Sequence, residues 1–418
     1  MCGVLGHAER RGAAAPAGCP RMCCAGGRGA PGVMSLGVVE SGRSWSLARR
    51  QETVRDDYEL NFLMLGTAAL FSEAVSVGAM GSIEAFIAKL PKVELHVHLV
   101  GSASVPTVLE LARRHPDGEV PTTEEELRKF YEFRDFAHFI DVYQAVSGLI
   151  TEPEDIADLV RGVARDLAAQ NVRYAEMQFG PYPFRRRGMP DAAVTEALDE
   201  GTRDALAQHG VRMGFIIEFP GQTADLDAIP TLTHAVTRPP EALVGFGIGG
   251  LEERRAPHRD VIRDVFAAAA AAGLHCVPHA GETTGPETVW EAIEHLHAER
   301  IGHGIRSMDD PRLVSYLRER QLPVDVSPTS NVRTRCVSGL AAHPLPRMLA
   351  DGLFVTLNSD DPPFFGTTLS NEYLVAAARL GFSAAQLAGL ASNAVRASFL
   401  DGASKEALIG EIEALPAI

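Results

Sequence analysis

The chain has 418 residues, of which 46% are hydrophobic and 22% charged, and it carries a net charge of −15. That apolar share supports a large core and excludes a chain disordered along most of its length. The acid excess excludes a nucleic-acid backbone or an anionic membrane surface as partner, because both repel it, and leaves a small molecule as the expected ligand.

In chain order, the first segment stands apart. Residues 1–80 hold eight Lys and Arg against seven Asp and Glu, so the remainder carries the whole acid excess, a net −16. Residues 1–79 are rich in Ala, Gly and Arg without periodicity and are expected to form a poorly ordered extension or a mis-called start, with the functional chain beginning near Met80. The apolar run Asn61 to Phe71 is too short to span a bilayer and follows Asp56, Asp57 and Glu59 rather than a basic region. A cytoplasmic location is therefore expected. Cys2, Cys19, Cys23 and Cys24 have no second cluster to complete a metal site, and Cys276 and Cys336 alone in the main body exclude a disulfide framework there.

From residue 80 to 418 a single domain is expected. Strand candidates are Val93 to Leu99, Arg173 to Phe179, Arg212 to Phe219, Leu243 to Ile248, His275 to His279, Arg300 to His303, Pro323 to Ser327 and Phe354 to Asn358. Between them lie amphipathic runs at Glu154 to Gln170, Asp191 to His209, Arg259 to Ala272, Pro286 to His297, Pro311 to Arg320 and Leu345 to Asp351. A helical insertion is expected over Val105 to Ile150, and two further helices, Asn371 to Leu380 and Ser383 to Leu400, close the chain. Alternating strands and helices give a parallel sheet, and eight such units fit a (β/α)8 TIM-type barrel, with extra helices after strand 1 and at the C-terminus.

In such a barrel the chemistry lies at the carboxyl ends of the strands. The first strand ends in Glu94-Leu-His-Val-His98, and residues two apart on a strand share a face, so His96 and His98 project together. The fifth ends in His279-Ala-Gly-Glu282, the sixth in Gly302-His-Gly304, and the eighth in Asn358-Ser-Asp-Asp-Pro362. Singly, His303 reads as a satisfied core histidine and Asp360-Asp361 as a turn or helix cap. Together, three imidazoles and one carboxylate form a set suited to Zn2+ with a water position left open. No lysine on the fourth strand bridges a second metal, so one ion is expected. Zinc lowers the pKa of its water to about 7, which makes a nucleophile for an electrophilic carbon; Glu282 is placed to give a proton and His303 to hold or deprotonate the water.

These segments, with Pro91-Lys-Val-Glu-Leu-His-Val-His-Leu99 and Ser327-Pro-Thr-Ser-Asn331, resemble the adenosine deaminase family of the amidohydrolase superfamily over most of residues 85 to 400. The resemblance implies a zinc barrel that hydrolyses the 6-amino group of a purine nucleoside and releases ammonia. It implies His96, His98, His279 and Asp360 as zinc ligands, Glu282 as proton donor to N1, His303 as the residue steering water, Asp361 on N7 and the Gly250 backbone on N3. Adenosine-specific members carry an aspartate for the 5′-hydroxyl after His-x-His-Leu, where this chain has Val100. Valine accepts no hydrogen bond, so the expected substrate lacks that hydroxyl. Aminodeoxyfutalosine of the alternative menaquinone route, with a carboxyphenyl chain at that end, is such a nucleoside, and the triplet Arg185, Arg186 and Arg187 after the second strand, otherwise a solvated loop, is the expected supplier of an arginine for its carboxylate. Thr329 stands where free-base deaminases tend to carry leucine, which favours a nucleoside. Cys336 is read as an incidental buried thiol. The alternatives are adenosine itself, another mononuclear amidohydrolase acting on an amide or pterin, and a non-catalytic nucleoside-binding protein.

Overall fold

The computed structural model describes residues 77–133 and 136–416, so all but the last three residues of the expected N-terminal extension, with its four cysteines, lie outside the described residues. The described residues belong to one compact unit, Ser72–Ile418. Its strands are β1 Lys92–His98, β2 Val172–Phe179, β3 Arg212–Pro220, β4 Leu243–Gly249, β5 His275–Ala280, β6 Ile301–His303, β7 Val324–Val326 and β8 Val355–Leu357. They form one parallel sheet in sequence order. The sheet closes where the chain just past β8 meets β1: the His98 N–H donates to the Asp360 carbonyl and the Asp360 N–H to the His96 carbonyl, both at 3.0 Å. The expected (β/α)8 barrel is therefore the fold.

Helices α1 Val77–Lys89, α2 Val105–Arg114, α3 Glu124–Phe130, α4 Phe136–Gly148 and α5 Pro153–Ala168 surround β1 in sequence, so the expected insertion consists of α2, α3 and α4. Around the barrel follow α6 Tyr182–Arg186, α7 Asp191–His209, α8 Ala224–Thr237, α9 Arg259–Ala271, α10 Pro286–His295 and α11 Pro311–Arg320. The last third holds α12 Pro328–Arg333, α13 Leu345–Ala350, α14 Pro362–Phe365, α15 Leu369–Leu380, α16 Ala384–Ala397 and α17 Gly402–Glu413.

Two helices depart from the expectation. Helix α8 contains Pro230 and leaves Leu226, Ile229 and Val236 exposed, so its apolar residues do not mark one buried stripe. Helix α17, not the run ending at Leu400, closes the described chain; it starts on Gly402, contains Gly410 and buries only Ile412. Propensity and periodicity are both weak there, and packing on α16 supplies the stability.

The strands read as near-continuous apolar runs because both faces are covered, one by helices and one by the barrel interior. Many of the polar residues inside are paired. Arg300, with no exposed surface, donates to Glu176 at 2.5 Å and Asp325 at 2.6 Å. The Thr356 hydroxyl donates to Asp325, Asn358 Nδ2 donates to Thr356 Oγ1, and Asn358 Oδ1 accepts from the N–H groups of Leu95 and His96. This string ties the barrel interior to the strand that carries the first two histidines.

Candidate metal centre and active site

His96 and His98 reach the same point from β1, as the two-residue strand period requires. His96 Nε2 lies 3.6 Å and His98 Nε2 3.3 Å from Asp360 Oδ1, and His279 Nε2 at the end of β5 lies 3.3 Å from His98 Nε2. Four donor atoms around one ion at roughly 2.0–2.1 Å stand about 3.4 Å apart, which these spacings match. Two further observations fit a cation. His96 Nε2 is buried with no hydrogen-bond partner, and two imidazole nitrogens face each other at 3.3 Å between His98 and His279. Burial, opposed by Asp360, lowers the pKa of His96, while burial and the neighbouring imidazoles hold His279 well below 6.5; both rings are thus in the neutral form that a metal binds.

Asp360 and His303 both have positive φ, 68° and 63°, and neither is glycine. Left-handed backbone at a polar non-glycine residue is uncommon and collects at functional sites. The position of Asp360 is secured on both sides. Ser330 Oγ donates to Asp360 Oδ2 at 2.6 Å, and Glu94 accepts from the N–H and hydroxyl of Ser359. Gly101 is required beside it, since a Cβ at that position would lie 1.6 Å from Asp361 Oδ1. Burial, then the adjoining Asp360 charge, raises the Asp361 carboxyl well above the usual range.

Glu282 follows β5, with Oε2 at 3.6 Å from His303 Nε2 and Oε1 at 3.7 Å from the Cys336 thiol. Burial, then the charges of Asp360 and Glu252, push its carboxyl up to about 8, so it keeps its proton at neutral pH. Burial pushes the Cys336 thiol up to about 12, which agrees with an unreactive thiol.

Several residues here were not anticipated. Glu218, in the apolar run Gly-Phe-Ile-Ile-Glu-Phe of β3, accepts from His98 Nδ1 at 3.1 Å and leaves Nε2 free to face the cluster. An acid at an inward position of an apolar strand was the available signal. Glu252, after β4, accepts from the N–H groups of Gly281, Glu282, Thr283 and Thr284 and from the hydroxyls of Thr283 and Thr288. It holds the loop that carries Glu282. Sequence spacing offers no signal for a contact of this kind.

A third feature is a directed chain of hydrogen bonds. The Leu345 N–H donates to His343 Nδ1 at 3.1 Å, and burial pushes the His343 pKa down to about 4, so the ring is neutral and Nε2 carries the hydrogen. Nε2 then donates to Asn331 Oδ1, which turns Asn331 Nδ2 toward His303 Nδ1, each at 3.2 Å. His303, also kept neutral by burial, must therefore present N–H at Nε2, the nitrogen facing Glu282. The backbone N–H of Leu345 sets the tautomer of His303, 42 residues away in sequence.

The remaining expected residues divide. Val100 is buried in a 3-10 turn that packs on α4 and α14, and Gly250, with φ 75°, lies against Gln222. Arg185 and Arg186 are not brought to this cluster: Arg185 donates to Asp191 of α7 and the Pro230 carbonyl of α8, and Arg186 to Tyr182 of its own helix. Their partners all lie in the outer helical layer, and none is a residue of the cluster.

Comparison with known proteins gives a consistent picture. The family model described as adenosine deaminase matches residues 91–415. An aminodeoxyfutalosine deaminase of Streptomyces coelicolor is 48% identical over 84% of this chain and 90% of its own length. Among solved structures, an adenine deaminase from Arthrobacter aurescens has a TM-score of 0.73 at 34% identity, covering 78% of this chain and 98% of its own. An amidohydrolase from Burkholderia ambifaria, solved with bound Zn, has a TM-score of 0.73 at 27% identity, covering 83% and 96%.

Proposed function

The chain belongs to the adenosine deaminase family, and we propose that it is a zinc-dependent hydrolytic deaminase of 6-aminopurine nucleosides whose substrate is aminodeoxyfutalosine. The observation that carries this reading is the convergence of His96, His98, His279 and Asp360 beside a protonated Glu282. The relative named for that substrate supports the specific assignment, as does Val100 in place of an acid that would bind a 5′-hydroxyl. A buried hydroxyl left unpaired costs about 1–3 kcal/mol, enough to favour a nucleoside that has none.

His96, His98, His279 and Asp360 would hold the ion, and Glu218 orients His98 through its other nitrogen. Bound zinc supplies a Lewis acid that lowers the pKa of water to about 7. Addition of water at C6 breaks the ring's aromaticity, and Glu282 offsets this by giving its proton to N1. His303 Nε2–H, fixed in direction by Asn331, orients the attacking oxygen. Asp361 meets N7 and the Gly250 backbone meets N3. The Glu282 carboxylate regains a proton from the added water, the remaining hydroxyl proton passes to the amino group, and collapse at C6 expels ammonia and leaves the 6-oxo purine. The barrel over residues 80–418 holds every group this scheme uses.

The test is ammonia release from aminodeoxyfutalosine and from adenosine. We expect the larger kcat/KM for the former and a fall of at least about 100-fold in Glu282→Gln. Equal or better turnover of adenosine would overturn the substrate assignment, and undiminished turnover by Glu282→Gln would remove Glu282 from the mechanism.

A further inference from the structure

Six aromatic rings and one cation beside this site have no part in the chemistry above. Phe364 and Phe365 lie on α14, directly after Asp361; Tyr131 and Phe133 follow α3, and Phe139 and Tyr143 lie on α4. Their ring centres form a continuous set: Tyr131 to Phe364 is 4.7 Å, Phe364 to Tyr143 5.8 Å, Tyr143 to Phe139 6.1 Å and Phe139 to Phe133 5.4 Å. The set begins beside the active site, because the Phe365 N–H donates to the Asp361 carbonyl at 3.1 Å and both α14 and α4 pack on the turn Val100–Ser102. Tyr131, Phe139, Phe364 and Phe365 are buried, whereas Tyr143 and Phe133 keep part of their surface open.

At the far end of this set stands Arg333. Its guanidinium carbon lies 4.9 Å from the centre of the Phe133 ring, and its Nε is buried with no hydrogen-bond partner. Glu132 is the one acid among the described residues whose field reaches it, and no ion pair joins the two. Arg333 is three residues beyond Ser330, whose hydroxyl donates to Asp360, so both residues project from one side of α12 and the cation is one turn from the catalytic cluster. The Phe133 face offsets part of the cost of this cation's burial, but Nε stays desolvated without an acceptor, and a planar bidentate acceptor would satisfy it. Tyr143 and Phe133, the two partly exposed rings, each neighbour Phe139 within the same set.

We propose that Arg333, with the open faces of Phe133 and Tyr143, forms the subsite for an aryl carboxylate at the 5′ end of the substrate. The aryl ring packs on the aromatic faces and the guanidinium donates two hydrogen bonds to the carboxylate. A phosphate would use the cation but leave the aromatic wall without a partner. This subsite rests on the aminodeoxyfutalosine reading and replaces Arg185 and Arg186 in it.

The test compares aminodeoxyfutalosine, its methyl ester, adenosine and adenosine 5′-monophosphate in the metal-loaded enzyme and in Arg333→Met, Arg333→Gln and Arg333→Lys. The expected result is that the preference for acid over ester, read as a ratio of kcat/KM, falls about 10- to 100-fold in the two neutral variants, mainly through KM, and is largely retained in Arg333→Lys. Calorimetric affinity for the deaminated acid should fall in parallel, a readout independent of turnover. If the parent enzyme prefers the acid and the neutral variants keep that preference, the subsite is overturned while the proposed function stands. If the parent enzyme has no preference for the acid over adenosine, the substrate assignment fails, and the subsite with it. A preference for the monophosphate that the neutral variants lose would assign the cation to phosphate and overturn the aryl carboxylate.

Discussion

At the scale of single residues, the centre depends on groups that never touch the reacting atoms. His343, 5% exposed, sits two hydrogen bonds from His303 and transmits the direction of the Leu345 N–H through Asn331. In His343→Phe the Leu345 donor and Asn331 Oδ1 both lose their partner inside the protein. Stability should fall by about 1–3 kcal/mol, and kcat by roughly 10-fold with KM little changed, because His303 is free to adopt the other tautomer. His343→Gln retains a side-chain acceptor and donor and should recover most of kcat, a recovery that a purely steric role for the imidazole would not produce. Steady-state kinetics and urea unfolding of the two variants decide this. Glu252 and Glu218 act in the same indirect way, one on the loop of Glu282 and the other on the ring of His98. Of these helpers only Glu218 leaves a trace in the sequence, as an acid inside an apolar strand.

Elements hold these residues in place through their ends more than their middles. Helix α5 starts at Pro153 with Asp155 in its first turn, and the Asp155 carboxylate accepts from the N–H groups of Thr151 and Glu152 and pairs with His115 at 3.1 Å. Burial raises the Asp155 pKa, but the backbone N–H bonds of Glu152 and Thr151 and the His115 contact outweigh it and keep the group below its ordinary 3.8. A depressed carboxyl pKa stabilises the fold above the unfolded value, and that contribution is lost as pH falls through the folded value. Asp155→Ala should therefore cost about 1–2 kcal/mol near neutral pH, and its deficit should narrow once the pH drops below about 4. A deficit that stays constant across that range, measured by urea midpoints, would show that the carboxylate charge is not what caps α5. The shortness of β6, β7 and β8, three residues each, has a related origin. β6 ends on His303 itself, whose φ of 63° turns the chain out of the strand, β7 runs into α12 at Pro328, and the Asn358 side chain just past β8 accepts from the N–H groups of Leu95 and His96.

At the scale of the whole molecule, the metal centre is also the seam of the barrel. Asp360 closes the sheet onto β1 with its backbone and faces His96 and His98 with its side chain, so binding at the side chain bears on closure. Removing the metal by chelation should lower the thermal midpoint by at least about 5 °C, with recovery on adding Zn2+, since a ligand at 100 times its Kd contributes about 2.7 kcal/mol. An unchanged midpoint after metal analysis shows full removal would separate the site from the seam. Among the described residues no helix is long and apolar enough to cross a membrane.

The order of strands and helices, the pairing of His96 with His98, the adjacency of Asp360 and Asp361 and the resemblance to one enzyme family were legible in the sequence, because strand period and short-range spacing are local properties. The weakly patterned α8 and α17 were not, since packing rather than periodicity holds them. The surroundings of the arginines were not either: Arg185 and Arg333 look alike in sequence, and only the fold pairs one with Asp191 and lays the other over the Phe133 ring. The same holds for Glu252 and His343, whose partners lie on other loops. A hydrogen bond between distant segments depends on how the barrel brings their ends together, and that is decided by tertiary packing, not by spacing along the chain.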